Sequence, residues 1–121
     1  MKVTDLMIGD KVMVKVLSQI PDTYVLHTWT ANDYSRDIKV KPIPLTPEIL
    51  ENNGFIKVNS QRYDYGYPDT DCYVKVNPKK NMIHVNGRNA NSNLYSHSFV
   101  HELQRVLRLC GLDELANNFK L

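Results

Sequence analysis

At 121 residues, 42% hydrophobic and 23% charged, the chain is sized for one globular domain or two small subdomains sharing a core. Its net charge of +2, with lysines and carboxylates interspersed, is too small to argue for a nucleic-acid partner by itself. No apolar run approaches the roughly 18 residues of a membrane span, and MKVTDLMIGDKVMV reads as no signal peptide. Cys72 and Cys110 make no metal framework, so the expected setting is cytoplasmic with both thiols reduced.

The first element follows the turn Gly9-Asp10: Val12, Val14 and Val16 alternate with Lys11, Met13 and Lys15, the period of a strand with one buried face. Pro21-Asp22 signals a turn, and Tyr24–Thr30 (YVLHTWT) reads as a second strand. A third is expected at Asp37–Lys41, where Ile38 and Val40 alternate with lysines, after a polar loop at Ala31–Arg36. Three short strands with tight connections suggest a small SH3-like sheet or barrel.

Pro42, Pro44 and Pro47 keep the chain extended as far as Thr46. Thr46 then suits an N-cap, Pro47 the first helical position and Glu48 the positive helix end; Asn53-Gly54 stops the helix. Strands are expected at Phe55–Asn59, Gln61–Tyr67, Cys72–Asn77 and Met82–Val85, giving an antiparallel meander, with Asn86–Asn93 as a polar loop. Val100, Leu103, Val106, Leu107 and Cys110 follow the spacing of an amphipathic helix, capped by Ser96 or Ser98 and ended by Gly111. A short turn at Asp113–Asn118 tucks Leu115 and Phe119 back.

The segments IGD, PIPLTPEILENNGF and VHELQ, in that order, resemble a pattern found in small uncharacterised proteins of gut Bacteroidetes, their phages and mobile elements. The match is loose over Leu6–Val16 and closer over Pro42–Leu115; it departs at the closing helix, where Phe99-Val100 replaces the usual Tyr-Val. The resemblance implies a phage or mobile-element context, and carries no catalytic residues to this chain.

Candidate chemistry is sparse. His101-Glu102-Leu103-Gln104-Arg105 begins like a zinc-protease helix but has Arg105 where the second histidine would stand, and His97 with His101 supplies two imidazoles without a third ligand. We read them as packing, capping or surface residues. Cys110 belongs to an apolar helix face and Cys72 adjoins Asp71, so neither reads as a nucleophile. Asp69-Thr70-Asp71 lacks the glycine and distal glutamate of a calcium loop, so Asp64, Asp69 and Asp71 read as turn residues solvated at a hairpin tip, and Asn86-Gly87-Arg88 is no phosphate cradle.

The remaining signal is Tyr63, Tyr65 and Tyr67, which share one side of an extended chain. With Arg62, Lys75, Lys79 and Arg88 nearby they form a candidate face for stacking a base and holding a phosphate; the alternative is a wall of core tyrosines. The expected architecture is α+β: residues 1–45 an SH3-like β subdomain and residues 46–121 a helix–meander–helix unit, or the two together as one continuous domain. In the second unit the C-terminal helix packs on Val74, Val76, Ile83 and Val85. The expected function is non-enzymatic binding through protein contact or self-association, without cofactor or membrane. The alternative is a nucleotide or single-stranded nucleic-acid binder.

Overall fold

The computed structural model describes residues 6–16, 23–35, 39–66, 72–80, 82–87, 91–95 and 99–121, excepting the side chains of residues 16, 35, 72, 86, 87 and 91–95. Two antiparallel sheets organise it. The first comprises β1 (Lys11–Val16), β2 (Thr23–Thr28) and β3 (Val40–Lys41) in the order β2-β1-β3. The second runs β4 (Ile56–Lys57), β5 (Tyr63–Gly66), β6 (Cys72–Asn77), β7 (Met82–Gly87) and β8 (Asn91–Tyr95) in sequential order. Three α-helices accompany them: α1 (Pro47–Asn52), α2 (Val100–Leu109) and α3 (Asp113–Asn117). The SH3-like barrel expected for the N-terminal part is not formed, because β2 and β3 end the first sheet as edges and do not close on one another.

The expected core assembles around α2. Val100, Leu103, Val106 and Leu107 are buried, with Cys110 half-buried beside them, in one cluster with Val74, Val76, Ile83 and Val85. Tyr63 lies across β5–β6 from Val76, and Tyr65 from Val74, so both tyrosines share the inner face. The N-terminal sheet has its own small core of Leu6, Val12 and Trp29, with Val14 and Val40 against it.

Helix α1 follows its local signals. Thr46 is extended at the N-cap, its Oγ1 accepting from the Ile49 N–H at 3.2 Å, and Pro47 opens the helix. Gly54 takes φ +85°, open to glycine at little cost. Asn53 adds a long-range tie: its amide donates to the Lys120 carbonyl and accepts from the Lys120 N–H, both at 2.7 Å. That clamp keeps the chain end in place, with Phe119 buried. At α2 the Phe99 N–H donates to the Glu102 carboxylate at 3.2 Å, while Ser96 and Ser98 lie outside the described residues.

Strand bounds shift where side chains override pattern. β2 stops at Thr28 because Trp29 bonds back to the Gly9-Asp10 turn: its N–H donates to the Asp10 carbonyl, its carbonyl accepts from the Gly9 N–H. Thr30 then serves the 3₁₀ turn Ala31–Ser35, with Asp33 accepting from the Thr30 N–H and hydroxyl. Part of the expected loop Asn86–Asn93 is strand, β7 reaching Gly87 and β8 starting at Asn91.

The two sheets are joined through α2. The fully buried Gln104 carboxamide accepts from the Lys11 N–H (2.8 Å) and donates to the carbonyls of Gly9 (2.9 Å) and Ala116 (2.7 Å). Beside it Arg108 pairs with the buried Asp10 at 2.6 Å, and Asp10 also accepts from the Met7 N–H. Gly9 has φ +96°, a conformation that favours glycine, and a Cβ there would lie 2.8 Å from Asn117 Oδ1 and 3.0 Å from Arg108 Nη2, so those side-chain ends would have to shift to admit one. Pro44 bridges to Phe99, and the Val100 N–H donates to the Ile43 carbonyl, adding a second junction.

Candidate interaction site

Of the residues proposed from sequence as one stacking site, the described Tyr63, Tyr65, Arg62 and Lys75 divide between the two faces of the sheet. Tyr63 is buried in the core; Tyr65 is half-buried, its ring 5.4 Å from that of Phe55. Arg62 and Lys75 occupy the opposite face of the sheet, since Arg62 is one residue from Tyr63 and Lys75 pairs with Asp64 rather than with either tyrosine. The backbone of β5 therefore separates the rings from the cations meant to accompany them. Tyr67 and Arg88 lie outside the described residues, as do Asp69, Asp71 and His97.

What the structure gathers instead is an outer-face group of Arg62, Asp64, Tyr73 and Lys75. Asp64, which sequence reasoning assigned to a solvated turn, is buried. Its Oδ2 accepts from the Tyr73 hydroxyl at 2.5 Å and from Arg62 Nη2 at 3.2 Å, and Oδ1 lies 3.1 Å from Arg62 Nε. Lys75 Nζ sits 5.1 Å from the Tyr73 ring centroid. The hydrogen bond to Asp64, then burial, then the nearby carboxylate charge raise the Tyr73 hydroxyl above the ordinary phenol range. The phenol is thus a fixed donor and no base, and Arg62 is committed to a carboxylate of its own chain. His101 is buried with its ring stacked on Phe99, 6.0 Å between centroids.

The N-terminal sheet offers a different kind of surface. The Lys15 N–H bonds the Lys39 carbonyl and the Lys11 N–H bonds Gln104, so odd-numbered residues of β1 turn their backbone groups away from β2. In an antiparallel ladder this leaves Val12, Val14 and Val16 to exchange hydrogen bonds with His27, Val25 and Thr23. The N–H and C=O groups of Tyr24, Leu26 and Thr28 consequently point out of the sheet edge. No backbone group among the described residues bonds to them.

That edge carries exposed apolar side chains, Val25 at 43% and Leu26 at 54%. It contains no Lys, Arg, Asp or Glu, the residues with which proteins usually blunt an open edge. The other edges differ: β3 and β4 are two residues long and each contains a lysine, and β8 is rich in Asn and Ser. His27 is held beneath β2 by Asp33, 2.7 Å away. Burial acts to raise the Asp33 pKa, but the hydrogen bonds from His27 and Thr30 and the His27 charge outweigh it, leaving the carboxyl below its ordinary value.

No known family profile, curated protein or solved structure matches the chain. Among the described residues no helix is long and apolar enough to cross a membrane.

Proposed function

We propose that this chain works by protein–protein contact and not by catalysis, receiving an extended segment of a partner along β2. The observation that supports this is the six-residue, uncharged edge Thr23–Thr28, with outward backbone groups at alternate residues and exposed Val25 and Leu26. Strand addition uses such an edge directly: main-chain hydrogen bonds supply affinity and alternate side chains supply selection. The pattern IGD…PIPLTPEILENNGF…VHELQ further supports a phage or mobile-element setting, acting in the host cytoplasm.

The nucleotide or single-strand reading has less support, because stacking requires aromatic faces in solvent beside free cations, whereas Tyr63 is core and Arg62 is paired with Asp64. Substituting Leu26→Pro tests the favoured reading. Proline at an outward-facing N–H is compatible with an edge strand but removes a donor that an added strand needs. Host-extract partners, identified by mass spectrometry, are expected to be retained by wild type and by an Ile56→Lys control on β4, and lost from Leu26→Pro. Equal recovery from all three refutes the role of β2.

A further inference from the structure

We infer that the segment received by β2 is an acidic extended peptide of pattern acid–x–apolar–x–acid, an inference that rests on the strand-addition reading above. An antiparallel strand laid on this edge places one residue opposite Leu26, and the residues two before and two after it opposite Thr28 and Tyr24. Those three side chains lie on the same sheet face as Leu26. On that face, Lys11 stands opposite Thr28 in the β1–β2 register and Lys15 opposite Tyr24, while Lys41 is opposite Met13 in the β1–β3 register.

Two of these lysines touch side chains of the edge strand. Lys11 Nζ donates to Thr28 Oγ1 at 2.7 Å, and Lys41 Nζ lies 4.1 Å from the Tyr24 ring centroid. A cation therefore contacts the side chain at each end of the edge strand, Lys11 at Thr28 and Lys41 at Tyr24, with exposed Leu26 between them, and the three strands carry no carboxylate. A visiting strand with an acid at each end and an apolar residue in the middle meets both cations and covers Leu26. A second copy of the chain would instead bring its own Lys11 and Lys41 to the same seam, where like charges repel. Nor does the sequence contain the complementary pattern: the only acidic pair at this spacing, Asp33 and Asp37, has Ser35 between.

The test titrates capped heptapeptides TETITET and TKTITKT onto the isotopically labelled intact chain, following the amide signals of Tyr24, Leu26 and Thr28. The acidic peptide is expected to bind at least about tenfold more tightly and to weaken as salt is added. N-methylation of its central Ile, which leaves the protein untouched, and Leu26→Pro are each expected to abolish binding. A Lys11→Glu/Lys41→Glu double variant is expected to prefer TKTITKT. Equal binding of the two peptides, both lost in Leu26→Pro, overturns the acid preference while strand addition stands. Binding indifferent to both Leu26→Pro and N-methylation overturns strand addition as well. Absence of binding by either peptide overturns the inference, and the host-extract comparison then decides strand addition by itself. A dimer seen by light scattering in wild type and lost in Leu26→Pro assigns the edge to a second copy and equally overturns it.

Discussion

Replacing Gln104 by methionine removes three hydrogen bonds while keeping most of the side-chain volume. The Lys11 N–H and the Gly9 and Ala116 carbonyls would lose their partner at a site where Gln104 itself is fully buried. A buried backbone group left unsatisfied costs about 1–3 kcal/mol, and partial relaxation or water entry recovers some of that. The expected loss is therefore about 3–5 kcal/mol, a large fraction of the roughly 5–15 kcal/mol that stabilises a typical domain. For a chain of this length that corresponds to a fall in Tm of about 10–20 °C. Urea unfolding followed by circular dichroism, with Gln104→Ala beside it, separates hydrogen bonding from packing. Both variants should lose most of this stability, the alanine more because it also leaves a cavity. A loss below about 1 kcal/mol for Gln104→Met would refute the claim that this amide fastens the two sheets.

Tyr63→Ala is expected to destabilise by about 3–5 kcal/mol in the same assay, as its buried ring requires; an unchanged midpoint would place that ring in solvent. The depressed Asp33 carboxyl contributes stability that is present above its unfolded pKa near 3.8 and is lost as pH falls through its lower folded value. Asp33→Asn should accordingly flatten the acid limb of a stability–pH curve below about pH 4; an unaltered limb would remove the case for that pairing. Tyr73 behaves oppositely: its raised pKa keeps its contribution intact below the unfolded value of 10.0 and loses it as pH rises through the folded one. Ultraviolet titration should show a late-ionising tyrosine that Asp64→Asn returns toward the ordinary range, and no change in that variant would count against the hydrogen bond.

Local chemistry made much of this fold legible. Thr46, Pro47 and Gly54 bracket α1 because start and stop signals act within a few residues, and the apolar spacing in α2 finds Val74, Val76, Ile83 and Val85 as expected. The strand β8 was not legible, since Asn and Ser are poor strand residues and only pairing with β7 makes Asn91–Tyr95 extended. The candidate site failed for a different reason. Period two correctly put Tyr63 and Tyr65 on one face, but the assignment of that face to core or solvent belongs to tertiary packing. Gln104 did leave a signal: it stands four residues after Val100 and three before Leu107, a polar residue on the apolar stripe of α2, which implies buried partners elsewhere. The β2 edge required the strand order, which depends on contacts distant in sequence.

The bonds from Gln104 to Lys11 and Gly9 span 93 and 95 positions, and the Arg108–Asp10 pair spans 98. A ribosome delivers the IGD turn well before the helix that clasps it. The nascent hairpin of β1 and β2 must therefore wait, without its anchor to α2, until Arg108 has emerged. Any truncation short of residue 108 would leave the leading sheet without its latch. Synthesis rate and chaperone access thus become determinants of yield for this small protein.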